Sequence, residues 1–161
     1  MKNLLRVSLL VAALCGGLFT PTAHAQLATK KALTLEAAKK LAAAAEAEAA
    51  KNKWTVAIAL VDDGGHLVHF TRIDGTQVGS VDVAILKAKT ALRFKRPTKV
   101  FEDAVKDGRT VILTLPDALP IEGGLPLVVD GVPIGAIGVS GVTSAQDGVV
   151  AKAAADLVAK L

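Results

Sequence analysis

Residues Leu119–Gly141 read "LPIEGGLPLVVDGVPIGAIGVSG" and hold six of the chain's fourteen glycines and three of its six prolines. Three readings compete: a phosphate-cradling loop, a catalytic elbow around Ser140, or a glycine-rich hairpin. A dinucleotide loop follows the first strand of a parallel unit and runs into a helix whose dipole faces pyrophosphate. Here Gly135 and Gly138 fall inside the second strand of a hairpin turned at Asp130-Gly131. Ser140 in "GVSG" lacks the glycine spacing of a nucleophile elbow. The order Ser–Asp–His would also need a histidine downstream, and the last one is His69. The hairpin reading stands, its glycines serving turns and the close packing of a helix.

The rest of the chain supplies partners for that hairpin. Thr34–Lys51 is an alanine-rich helix with Thr34 as N-cap, Glu36 in its first turn and a stripe of Leu35, Ala38, Leu41 and Ala42. "WTVAIALVDD" (Trp54–Asp63) reads as a buried strand and "HLVHFTR" (His66–Arg72) as its partner, joined by the turn residues Asp63-Gly64-Gly65. Ser80–Phe94 is a second helix with Ser80 as N-cap and Val81, Ala84, Ile85, Ala88 and Leu92 inward. Thr98 opens a short third helix that Gly108 closes as its C′ residue. "TVILTLP" (Thr110–Pro116) reads as a third strand, and Ser144-Ala-Gln-Asp147 as the capping box of a last helix. Strands joined by short turns pair antiparallel. The expected fold is therefore α+β, a five-stranded antiparallel sheet with helices packed on it.

The first 25 residues have the order of a secretory signal peptide. Lys2 and Arg6 precede an apolar run from Val7 to Phe19, and Ala23-His24-Ala25 forms a small-x-small cleavage site. Export to the periplasm is the expectation, with residues 26–161 as one domain. Cleavage would remove the only Cys and the only Met, and would lower the formal charge of +4 by two. Without cysteines, a folded exported domain depends on its core rather than on disulfides. No basic stripe is interleaved with aromatics and no tyrosine is present, so nucleic-acid binding is not expected.

Two histidines remain, His66 and His69. Strand alternation places them on opposite faces, so they cannot share one metal; each alone is either an axial ligand to a haem iron or a surface residue. The same alternation groups His66, Val68, Phe70 and Arg72: an imidazole, a flat apolar ring, and a guanidinium able to take a carboxylate. Lys87, Lys89, Arg93, Lys95, Arg96 and Lys99 form a charge run along the second helix and its exit, which is a solvated face or an anion-binding one. Glu122, followed by two glycines, is a general base, a metal ligand or a turn cap. Thr143 and Ser144, at the N-terminus of the last helix, offer an anion site.

"LVDDGGHLVHFTRIDGT", "LKAKTALRFKRPT", "LPIEGGLPLVVDGVPIGAIGVSG" and "SAQDGVVAKAA" together resemble the GlcG/HbpS family of small haem-binding proteins, in order, from about Leu33 to Leu161. The resemblance implies a profilin-like fold and a homo-oligomer. It also implies an exported chain that binds haem, with haem degradation or iron capture as the associated role. Under it, His66 or His69 would ligate the iron, Phe70 would pack on the macrocycle, and Arg72, Lys87 and Arg96 would hold propionates. Glu122 would belong to the same cofactor-binding set. The alternative is a non-enzymatic accessory module for a small carboxylate-bearing ligand or a corrinoid, formed around the Glu122-Gly-Gly loop. No residue set gives a reaction class, so enzymatic activity is left open.

Overall fold

The computed structural model describes residues 27–161; the expected signal peptide, residues 1–25, lies outside them. Helix α1 (Leu35–Lys51) starts at Thr34, whose side chain accepts a hydrogen bond from the Ala37 amide at 3.2 Å. Strands β1 (Ala57–Asp62) and β2 (Leu67–Arg72) follow, then helices α2 (Gly79–Phe94) and α3 (Lys99–Lys106). A 3-10 turn (Thr110–Thr114) leads to β3 (Gly124–Val129), β4 (Val132–Ser140) and helix α4 (Ser144–Val158). The four strands form one antiparallel sheet in the order β2-β1-β4-β3.

Helices cover both faces. Ala38, Leu41, Ala45 and Ala49 of α1 and Val150, Ala151 and Ala154 of α4 pack with Ile58, Leu60, Ile137 and Val139 of the sheet. Strand alternation turns Ala57, Ala59, Val61 and Ala136 the other way, onto Ala84, Ala88, Ala91 and Leu92 of α2. The second layer is nearly all alanine because α2 lies almost on the strand backbone. A Cβ on Gly138 would run into the Ala84 carbonyl, and one on its cross-strand partner Gly124 into the Lys87 carbonyl. The glycines of the opening stretch are thus a floor for a helix. The β3–β4 turn has φ of 50° at Asp130 and 77° at Gly131, the paired positive values of a type I′ hairpin.

Three expectations are corrected. The sheet has four strands, not five, because Thr110–Pro116 does not pair. In that segment Val111 and Leu113 face solvent, and Ile112 alone is buried within a 3-10 turn. The start of β3, where a further strand would dock, is taken by Thr98. Its amide donates to the Gly124 carbonyl at 3.0 Å, and its hydroxyl accepts from the Gly124 amide at 2.9 Å. β-propensity builds no strand where the neighbouring edge is already hydrogen-bonded to another segment.

The other two corrections are caps. Helix α2 begins before Ser80, with Val78 in the cap position and no side-chain cap bond. Ser80 instead faces the sheet in register with Ala84 and Ala88, its buried hydroxyl unpartnered. The capping box of α4 lies one residue earlier than expected, on Thr143 and Gln146. That shift frees Asp147 for a buried contact described below. Among the described residues no helix is long and apolar enough to cross a membrane.

Candidate ligand site

The β1–β2 turn is organised by one carboxylate. Asp62 Oδ1 accepts hydrogen bonds from the amides of Gly64 and His66, both at 2.9 Å, which is the local turn chemistry that Asp favours. The His66 amide is the chief reason that the Asp62 carboxyl is held below its ordinary value. The same oxygen lies 3.5 Å from His66 Nδ1, and the His66 side chain is 83% exposed. A Cβ on Gly64 would sit 2.8 Å from that nitrogen, so the absence of a side chain there lets the imidazole lie against the turn. The imidazole thus has a carboxylate beside its δ nitrogen and a mostly exposed ring, and metal-ligating histidines commonly have such a carboxylate neighbour.

An open cavity of about 360 Å³ adjoins this turn, lined by Asp63, Gly64, Leu92, Arg93, Lys95, Val132 and Pro133. Its size falls within the usual range for small-molecule sites. Three elements build it: the β1–β2 turn, the last turn of α2, and the first residues of β4. The pairing of Asp62 with Gly135 and of Val129 with Val132 brings both hairpin turns to the same end of the sheet. Lys95 caps α2 in the left-handed region, with φ 51°, and so ends the helix where its cations gather. Arg93 Nη1 reaches Asp117 Oδ2 at 3.1 Å in an exposed pair. The result is an apolar wall of Leu92, Val132 and Pro133 flanked by two cations, with an imidazole at the adjoining turn.

The other residues singled out from sequence do not converge on this place. A register shift between Leu60 and Val61 leaves Val68 without a partner in β1 and breaks the alternation of β2. Val68 therefore packs toward α1 while Phe70 packs with Ala57, Ala59, Ala84 and Ile85 on the α2 side, which corrects the grouping of His66, Val68, Phe70 and Arg72 on one side. Arg72, exposed, lies six residues from His66, about 20 Å along an extended chain. His69 is half-buried on the opposite face, its Nε2 3.3 Å from the Thr71 hydroxyl. Arg96 is exposed, its guanidinium 5.7 Å from the centre of the Phe101 ring and its Nε bonded to the Phe94 carbonyl.

Lys87, expected to hold a propionate, is placed in the interior and paired there. Its side chain is 1% exposed, and its amine donates to Asp147 Oδ2 at 2.8 Å and to the Val139 carbonyl at 3.0 Å. Burial pushes the Asp147 carboxyl above its ordinary value, against the pull of Lys87 and of the Val142 and Gly141 amides. The expected anion site at the N-terminus of α4 is corrected for the same reason. Asp147 takes the Val142 amide, Thr143 takes the Gln146 amide, and the Ser144 hydroxyl donates to Glu102 Oε1 at 3.1 Å. The helix end is satisfied from within.

Glu122 lies at the far end of the sheet, packed against Gly148 near the start of α4 and 4.0 Å from the Lys99 amine. Its own amide donates to Glu102 Oε2 at 2.5 Å. Burial opposes the ionisation of Glu102, yet Lys106, the Glu122 amide and Ser144 together hold its carboxyl below the ordinary value. This cluster ties α3 to α4. Sequence reasoning overlooked Asp62 and Glu102 and gave Arg93 and Lys95 no role of their own. The spacing "DDGGH" carried a usable signal for Asp62, as an Asx-type turn.

The family model described as "Haem degrading protein HbpS-like" matches residues 33–156. Protein GlcG of Escherichia coli strain K12 is 47% identical over 112 residues, covering 70% of this chain and 84% of that protein. The crystal structure of HbpS superposes with a TM-score of 0.75 at 34% identity, covering 82% of this chain and 94% of the other. The PduOC–heme complex superposes at 0.70 with 28% identity, covering 78% and 94%. The α+β fold with its antiparallel sheet is thus shared with these structures, and the chain belongs to the HbpS-like family.

Proposed function

We propose that this chain is an exported haem-binding protein and that haem sits at the β1–β2 turn. The observation that carries this reading is the His66 ring, backed by Asp62 and lying against the Gly64 wall of a cavity that combines Leu92, Val132 and Pro133 with Arg93 and Lys95. Haem, when bound, supplies an iron that accepts an imidazole nitrogen, and two propionates that need cations. His66 is the axial candidate, because His69 is half-buried beside Thr71. Arg93 and Lys95 take the propionate role first given to Lys87 and Arg96. The haem complex of PduOC and the family description support the choice of ligand.

Export follows from the signal-like residues 1–25, and haem degradation or iron capture is the associated role. A homo-oligomer is supported by the outer edge of β2, which has no partner strand among the described residues and carries Leu67, 47% exposed. Titrating the purified protein with hemin tests the binding reading. A shifted Soret band that saturates at a stoichiometric ratio is expected. A spectrum identical to that of free hemin contradicts it, and stabilisation by small carboxylates without hemin binding would favour an accessory module for such acids.

A further inference from the structure

The residues just before α1 form a strap across the end of the sheet that carries both hairpin turns. Lys30 pairs with Asp63 of the β1–β2 turn, and Lys31 Nζ lies 2.6 Å from Asp130 Oδ2 of the β3–β4 turn. Leu33, 7% exposed, is buried in the core beside Gly135 and anchors the strap from below. Thr29, Lys30 and Lys31 also wall a second cavity of about 230 Å³ with Val129, Asp130, Val132 and Ile134. Val132 lines both cavities, and Asp63 lines the one beside His66. The strap and the ligand site therefore meet at the pair between Lys30 and Asp63.

That pair sits where its charge matters. Asp63 is the carboxylate on a wall whose other charged groups, Arg93 and Lys95, invite an anion. Left alone it would repel any ligand carboxylate entering the cavity, and Lys30 cancels it. The Lys30 side chain is 70% exposed and sits three residues from the Leu33 anchor, so its amine can take a second partner without disturbing the core. We infer that Lys30 is a specificity-determining residue of this site: it masks Asp63 in the free protein and, with its remaining N–H donors, bridges Asp63 to a carboxylate of the ligand when a dicarboxylate macrocycle enters. This inference rests on the haem reading, since it assigns the ligand's acid groups. It adds that the strap selects for ligands carrying free carboxylates.

The test compares hemin affinities of the full chain with Lys30→Ala, Asp63→Asn and, as a charge control at the other end of α1, Lys51→Ala. At low salt, Lys30→Ala should weaken binding about two- to fivefold and Asp63→Asn should tighten it by a similar factor, the scale of exposed ion pairs. Both effects should shrink toward nothing in 1 M salt, where the Debye length is about 3 Å. Lys51→Ala should change nothing, and the dimethyl ester of hemin should bind wild type and Lys30→Ala alike. Equal hemin affinity in wild type and Lys30→Ala, or weaker binding by Asp63→Asn, overturns the inference and leaves the haem reading intact. Failure of wild type to bind hemin overturns both.

Discussion

Lys87 Nζ lies 2.8 Å from Asp147 Oδ2 with both side chains almost wholly buried, and this contact joins α2 on one face of the sheet to α4 on the other. It passes the end of the sheet beside Gly123, where a Cβ would sit 2.8 Å from the lysine amine. Removing one partner leaves a buried charge without its counter-charge, which typically costs about 3–5 kcal/mol. Lys87→Met and Asp147→Asn should each lower the denaturant midpoint accordingly. Lys87→Met combined with Asp147→Leu should cost clearly less than the two single changes added together. Additive losses would show that the two groups do not depend on each other.

The glycine floor makes an opposite pair of predictions. Gly138→Ala drives a methyl group into the Ala84 carbonyl of α2, and a backbone neighbour cannot swing away. A loss of about 1–3 kcal/mol or more is expected from such overpacking. Gly79→Ala, in the first turn of α2 with nothing within 4 Å of its Cβ position, should be neutral or stabilise by up to about 1 kcal/mol. Thermal melts of the two variants check this directly. A harmless Gly138→Ala would mean that α2 does not rest on β4.

The proposed ligand cations are separable from the fold. Arg93 is exposed and Lys95 lies beyond the last helical turn, so Arg93→Ala and Lys95→Ala should each leave the melting temperature within about 2 °C of wild type, the usual scale for surface changes. Hemin affinity should nevertheless fall about two- to fivefold for each at low salt. Arg96→Ala, whose guanidinium covers Phe101, should show the reverse: a small stability loss and unchanged affinity.

Asp62 gives the pH dependence its sign. Its carboxyl is held below the ordinary value, first by the His66 amide, so the folded state binds its proton less readily than the unfolded chain does. The stability it contributes is present above the unfolded carboxylate value, near pH 4, and is lost as pH falls through the lower folded value. The stability difference between wild type and Asp62→Asn should therefore be greatest at neutral pH and should close on acidification below about pH 4. A gap that widens in acid would contradict the turn geometry.

Much of this architecture was legible in the residues. Thr34 capped α1, Gly108 followed α3 with φ 89°, and Asp130-Gly131 turned the hairpin as its chemistry demands. These are local signals, fixed by caps and turns. The failures needed tertiary information. Thr110–Pro116 has strand composition, but Thr98 already occupies the docking edge at Gly124. Lys87 looked like one cation in a solvated run, because nothing in its neighbours reveals a carboxylate sixty residues later. The bulge at Val68 moved one residue out of step and separated a grouping that strict alternation had assembled. Of the candidate site residues, His66 is exposed at the β1–β2 turn and Lys87 is buried, while the end of α2 brings Arg93 and Lys95 to that turn.

The Soret spectra of hemin complexes of His66→Ala and His69→Ala, recorded beside wild type, bear most directly on where haem binds. His66→Ala should lose the wild-type band position and bind hemin at least about tenfold more weakly, while His69→Ala should keep both. A wild-type spectrum retained in His66→Ala would contradict iron ligation at the β1–β2 turn, whatever the overall affinity.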